Sequence, residues 1–262
     1  MNFDVGKAVR MSDIIDAADG RGLIIDTTLS SVVGALPGLE DFATAIVKIN
    51  QSCDGLIINP GQAEHHASLL GGKHRAAPII RLDWTNAYRD ETFCLPATEV
   101  KRLMISNAED AFSLGASAVV ASFLMGYGDD FEATNIQDLS FLARECYPLS
   151  LPLWIDIRTV GEKVSEINFE ESIKLGASFM QELGADGLII PQCLLATCRY
   201  VCEWMQIPVL VRLKQTPTAE QLSEIMHSGA AGAVLPESLF ALSDYPQQVN
   251  ELYFEIHQGR RA

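Results

Sequence analysis

Three times along the chain a helix-ending glycine followed by small residues runs straight into a strand: Gly115-Ala116-Ser117-Ala118, Gly184-Ala185-Asp186-Gly187 and Gly229-Ala230-Ala231-Gly232. A helix C-cap favours glycine, and a helix lying close on a sheet favours alanine. The run after Gly184, Gly187-Leu188-Ile189-Ile190, is apolar throughout and bounded by Pro191-Gln192, the pattern of a strand covered on both faces. Repetition of such units at roughly 20 to 35 residues matches the crossover length of parallel strands. The expected architecture is therefore α/β: a single-domain (β/α)8 TIM barrel over residues 1–262, in which chemistry sits at the C-terminal ends of the strands. A doubly wound open sheet is the competing arrangement. It is disfavoured because no strand is followed by a Gly-rich dinucleotide turn.

The strands follow in order. A short amphipathic helix, Ser12 to Ala18, stops at Gly20 before strand one, Gly22-Leu23-Ile24-Ile25-Asp26. Pro37-Gly38-Leu39-Glu40-Asp41 opens a helix through Asn50, with Pro and acids in its first turn. Strand two leads into Asn59-Pro60-Gly61, strand three covers Pro78 to Asn86, and strand four runs from Ser117 to Phe123. Leu124-Met125-Gly126-Tyr127-Gly128-Asp129-Asp130 is a Gly-punctuated loop suited to wall an active site. Strand five is Pro152 to Arg158, strand seven Ile207 to Lys214, and strand eight Gly232 to Leu235; Leu239 to Gln258 closes the chain.

The formal net charge of -15 removes the basic footprint needed for nucleic acid or anionic lipid. The longest apolar runs are strand-length, too short to span a membrane. Met1-Asn2-Phe3-Asp4 lacks the basic-then-apolar order of a signal peptide. The six cysteines lack Cys-x-x-Cys spacing, so they read as reduced thiols in a cytoplasmic protein. A zinc site from Cys193, Cys198 and Cys202 competes with simple helical spacing, which already explains the last two. His65 and His66 diverge by about 100 degrees on a helix and cannot share an ion. Solvated or capping roles are expected for all five histidines, with no metal and no cofactor.

Candidate site residues stand at strand ends. Arg81 and Asp83 are two residues apart on strand three, as are Asp156 and Arg158 on strand five, so each pair shares a face. Such pairs either form a site or close the barrel rim by pairing with each other. Asp26, Arg212 and Lys214 complete the ionisable set.

The order of these motifs resembles the class I aldolases of the archaeal-type fructose-bisphosphate aldolase and deoxyribose-phosphate aldolase superfamily. The landmarks are Asp26, Pro37-Gly38-Leu39-Glu40-Asp41, Asn59-Pro60-Gly61, Asn107-Ala108-Glu109-Asp110-Ala111, Gly115-Ala116 and Gly184-Ala185-Asp186, from about Gly22 to Phe240. The resemblance implies a barrel that joins or cleaves carbon-carbon bonds through a lysine Schiff base. The lysine expected three residues after Asp186 is Ile189, and no lysine occurs between Lys174 and Lys214. The family's histidine and glycine after strand one are Thr27-Thr28, its strand-four tyrosine corresponds to Leu124, and its phosphate-binding loops become Leu213-Lys214 and Pro236-Glu237. Isoleucine can form no iminium.

The expected function is thus an aldolase-like carbon-carbon lyase or synthase acting on a small polar carbonyl compound. Asp26, Asp83, Asp156 and Lys214 are its catalytic candidates. Lys214, at the end of strand seven, is the amine best placed to replace the missing lysine, with Lys163 and Lys73 as lesser alternatives. Asn59, Arg81, Tyr127, Arg158, Gln192 and Arg212 are candidate substrate contacts. The competing reading is a non-catalytic paralogue, a binding subunit in a homo-oligomer or beside a lysine-bearing relative.

Overall fold

The computed structural model describes residues 5–257. Residues 1–4 and 258–262, which include the Met1-Asn2-Phe3-Asp4 start and the Gln258 end of the closing segment, lie outside the described residues. Among the described residues there are ten strands: β1 (Gly22–Asp26), β2 (Gly55–Ile58), β3 (Ala77–Arg81), β4 (Asp83–Thr85), β5 (Arg102–Met104), β6 (Ala118–Met125), β7 (Leu153–Thr159), β8 (Gly187–Pro191), β9 (Val209–Arg212) and β10 (Gly232–Leu235). Eight of them pair in parallel in the order β1-β2-β3-β6-β7-β8-β9-β10, and β10 returns to β1 to close the barrel. Helices cross between the strands, the longest being Asp129–Cys146 and Phe169–Glu182. This is the expected (β/α)8 barrel.

Continuous apolar strands serve two cores. Leu23, Ile25, Leu56, Ile58, Ile155, Ile157, Leu188 and Ile190 face the helices, while Ile24, Ile57, Ile79, Val120, Trp154, Ile189, Leu210 and Val234 fill the barrel. Each fully buried aliphatic side chain contributes about 1.5–3 kcal/mol. Gly115, Gly184 and Gly229 all have positive φ, so the three helix ends that announced the fold take the left-handed conformation glycine tolerates.

Four local expectations change. The N-terminal helix is Val5–Ser12, not Ser12 to Ala18. The Asp16 backbone pairs with Arg21 and its carboxylate accepts from Ala18 N, so Asx-turn geometry wins, and Ile14 turns inward to plug the barrel floor. The helix expected from Pro37 begins only at Phe42 and ends at Val47, because Asp41 caps it by accepting from Thr44 N at 3.1 Å. The segment after Gly128 is not all loop, since Asp129 and Asp130 open the Asp129–Cys146 helix. Strand three does not run on to Asn86. It leaves the barrel at Leu82, and β4 pairs antiparallel with β5 as a hairpin over the mouth, Trp84 opposite Leu103.

At the opposite face His257 is buried rather than solvated. Its Nδ1 lies 2.7 Å from Asp19 and its Nε2 3.1 Å from Asp54, tying the Tyr245–Ile256 helix to the barrel floor. Burial of the ring acts to lower its pKa, but the bonds and charges of the Asp54 and Asp19 carboxylates outweigh this and raise it to about 9. The Asp16, Asp19 and His257 ligand atoms lie within 4.8 Å of one another, the spacing of a metal-ligating group. The two contacts of the His257 ring already satisfy both of its nitrogens. The six cysteines are free thiols, and Cys198 and Cys202 sit one turn apart on the Leu195–Trp204 helix with sulfurs 4.0 Å apart. No helix among the described residues is long and apolar enough to cross a membrane.

Candidate active site

Above the apolar interior, the inward-facing positions of β1, β3, β7 and β9 switch from apolar to charged. Ile24 is followed by Asp26, Ile79 by Arg81, Trp154 by Asp156 and Arg158, and Leu210 by Arg212. The alternation of strand side chains sends each of these groups into the mouth. Strands β6 and β10 add Ser122 and, just past Leu235, Glu237. The result is a cavity of ≈470 Å³ at the C-terminal end of the barrel, walled on one side by Trp84, Thr85 and Tyr88 of the hairpin region.

Its floor is one ion network. Arg81 donates to Asp26 and Asp156 at 3.1 Å each, to Thr28 Oγ1 at 2.8 Å and to Ser122 Oγ at 2.9 Å, and it lies 3.4 Å from Asp83. Arg212 reaches Asp26 at 2.8 Å and grips Asp156 with two nitrogens, at 3.2 and 2.8 Å. Arg158 meets Asp156 at 2.8 Å and sits over the Tyr88 ring. Arg102, from β5, holds Asp83 at 3.0 Å and Asp138 at 3.0 Å, while Ser122 N donates to Asp83 at 2.9 Å. Four guanidiniums therefore face four carboxylates, and such buried charges are tolerable only because each is paired.

The network fixes protonation. Burial alone would raise the pKa of Asp26, but Arg212, Arg81 and Arg158 together with the Thr28 hydroxyl hold it well below the usual carboxylate range. Asp156 is likewise held low against its burial by Arg158, Arg212 and Arg81. Tyr88 is pushed up by burial. Glu237 behaves differently: burial and the nearby Asp26 charge push it up to about 7, against the pull of Arg212 and two backbone N–H groups.

Of the residues singled out from sequence, Asp26, Arg81, Asp83, Arg158, Gln192, Arg212 and Lys214 line the cavity. Asp156 lies beneath them, fully buried in the floor. Lys214 is exposed at the rim, its Nζ 5.9 Å from the centre of the Phe169 ring, and its backbone N donates to Gln192 at 3.2 Å. Asn59 is not a wall residue; its Nδ2 donates to Thr28 O at 3.3 Å. Tyr127 turns away too, its hydroxyl donating to Val160 O and its ring packing on Phe131. Lys163 pairs with Asp129 at 2.7 Å on the surface, and Lys73 borders a cleft at the other end of the barrel. Ile189 is buried inside the barrel, in register with Asp156.

The sequence reading did not find Thr28, Tyr88, Ser122 or Arg102 in the site, nor the raised carboxyl of Glu237 in its wall. Glu237 carried a signal, being two residues past the end of the last strand. Arg102 carried none, because only the long-range pairing of β5 with β4 brings it beneath Asp83.

A sequence model of the DeoC/LacD family aldolases matches residues 14–189. An uncharacterized aldolase of Saccharolobus solfataricus is 25% identical over 264 residues, covering 97% of this chain and 96% of that protein. Among solved structures, an archaeal fructose 1,6-bisphosphate aldolase superposes with a TM-score of 0.79 at 20% identity, covering 97% of this chain and 100% of its own. An archaeal fructose-1,6-bisphosphate aldolase whose catalytic lysine is covalently bound to the carbinolamine intermediate of its substrate gives 0.78 at 21%, covering 96% and 99%. The fructose-bisphosphate aldolase from Slackia heliotrinireducens gives 0.72 at 13%, covering 97% and 88%. At these identities the structural matches establish the shared barrel.

Proposed function

We propose, because the chain belongs to the DeoC/LacD family of aldolases, that its cavity receives a small polar carbonyl compound and that Lys214 supplies the amine for carbon-carbon cleavage or joining. The observation that carries this reading is the composition of the cavity wall: among the described residues Lys214 is its one primary amine, and Arg158 and Arg212 line the same cavity with N–H donors for carbonyl, hydroxyl or carboxylate oxygens. By the resemblance drawn from sequence, the usual lysine position is Ile189, which is 2% exposed in the apolar interior and offers no nucleophile.

The chemistry follows from the amine. The neutral amine of Lys214 adds to the carbonyl carbon, and the carbinolamine, taking a proton from solvent at its hydroxyl, loses water to leave an iminium. Its nitrogen then accepts the electron pair of the neighbouring C–C or C–H bond as that bond breaks. Pro236 has no N–H and Glu237 presents a carboxyl at the end of β10. That part of the wall suits a hydroxyl better than a phosphate.

The apolar Ile189 also favours a second reading, a binding subunit without turnover, in a homo-oligomer or beside a lysine-bearing relative. Borohydride trapping with small aldehydes and ketones, followed by peptide mapping of the wild type and Lys214→Met, separates the two. An adduct at Lys214 that vanishes in the variant supports the iminium. Ligand-dependent thermal stabilisation without any adduct supports the binding subunit. Neither response across the panel would overturn the carbonyl reading.

A further inference from the structure

We propose that Glu237 is the proton carrier of this cavity, taking up and returning the proton on the carbon next to the ligand's carbonyl. This rests on the reading of the cavity as a carbonyl site and reassigns the role the sequence suggested for Asp26, Asp83 and Asp156.

Those three carboxylates are already committed. Asp26 accepts from Arg81, Arg212 and the Thr28 hydroxyl, the last at 2.6 Å; Asp156 accepts from three guanidiniums; Asp83 accepts from Arg102, Arg81 and Ser122 N. Protonating any of them would break several buried ion pairs at once. Glu237 forms no ion pair among the described residues. Its Oε1 accepts from Leu29 N at 3.0 Å, and the side chain is 9% exposed yet lines the cavity. Burial and the Asp26 charge push its pKa up to about 7. The charged groups facing it are Asp26 from β1 and Arg212 from β9, with the backbone N–H groups of Leu29 and Glu237 itself. A carboxyl poised in this range is what proton shuttling requires.

The placement is consistent with the step. Strand β10 adjoins β9, so Glu237, two residues past the end of β10, lines the same cavity as Arg212 at the end of β9 and Lys214 two residues beyond it. The Glu237 carboxylate takes the proton from carbon, and the C–H electron pair moves into the carbonyl-derived iminium to give an enamine. In reverse, the enamine carbon takes the proton back from the carboxylic acid.

The test uses the full chain in D2O with hydroxyacetone as probe, following loss of its carbon-bound protons by NMR in wild type and Glu237→Gln. A parallel 13C titration of glutamate-labelled protein identifies the Glu237 carboxyl by its absence in the variant. Expected are a Glu237 titration near neutral pH and an exchange rate that follows it. In Glu237→Gln exchange should fall roughly 100- to 10,000-fold while probe binding, read by thermal shift, persists. Exchange at the wild-type rate and pH profile in Glu237→Gln would overturn the assignment. So would titration in the ordinary carboxylate range, whatever the activity. Neutral-range titration with no exchange in the wild type would instead overturn the carbonyl reading, and the proton step with it.

Discussion

Asp156→Asn is the sharpest perturbation of the ion network. The side chain is 0% exposed, its Oδ2 accepts from Arg212 and Arg158 at 2.8 Å and from Arg81 at 3.1 Å, and its Oδ1 accepts from Arg212 Nε at 3.2 Å. Asparagine keeps the shape but removes the charge, and it turns an amide N–H2 toward guanidinium donors. Arg158 then keeps only Asp26, at 4.0 Å, Arg212 keeps that same carboxylate, and Arg81 shares it while retaining Asp83 at 3.4 Å. Removing one partner of a buried ion pair costs about 3–5 kcal/mol. At about 2–4 °C per kcal/mol for a chain of this size, the melting temperature should fall by roughly 6–20 °C. The assay is thermal and urea unfolding followed by far-ultraviolet circular dichroism. Asp138→Asn is the control: its carboxylate pairs with Arg102 but is 31% exposed, so the loss should stay near about 0–1 kcal/mol. The pH dependence has a defined sign. A carboxylate held low in the folded state stabilises fully above its unfolded pKa of about 3.9, and that stability is lost as pH falls below it. The deficit of Asp156→Asn should therefore be largest near neutrality and shrink in acid. A variant within about 1 kcal/mol of wild type at pH 7 would refute the claim that this network is coupled and buried.

Gly187→Ala should destabilise by about 1–3 kcal/mol in urea unfolding, because a Cβ there would sit 2.6 Å from the Trp154 ring inside the barrel; unchanged stability would mean the interior yields more readily than its packing implies. His257→Gln should cost on the order of 2–3 kcal/mol below pH 6.5, fading as pH rises through about 9, since a histidine raised in the fold stabilises while it is protonated there. A deficit that grew with pH would exclude a charged clamp. Ile189→Lys should lower the melting temperature by burying an amine in the apolar interior, yet yield a borohydride adduct at residue 189 if that position is the family's nucleophile site. A folded variant without the adduct would reject the correspondence.

Much of the barrel was legible because its signals are local. Glycines at 115, 184 and 229 end helices whatever surrounds them, and apolar runs such as Leu188-Ile189-Ile190 are the direct consequence of strands buried on both faces. The β4–β5 hairpin was not legible, since Asp83-Trp84-Thr85 continues the pattern of β3 and only the distant Arg102-Leu103-Met104 diverts it. The N-terminal helix was misplaced because the turn around Asp16 and the inward burial of Ile14 depend on the barrel floor being present. In the mouth, the two-residue spacing of Arg81 with Asp83 and of Asp156 with Arg158 revealed which side chains share a face. It could not reveal that these pairs satisfy each other so fully that Asp156 disappears beneath the floor. Asn59 and Tyr127 were drawn from loop position, and their partners, Thr28 O and Val160 O, are contacts made across the fold.

The most direct test is a crystal structure of the protein after exposure to hydroxyacetone and borohydride. The account predicts density continuous with Lys214 Nζ, extending into the cavity between Arg158, Arg212 and Glu237. A cavity left empty, with the reduced adduct on a surface lysine such as Lys163, would contradict it.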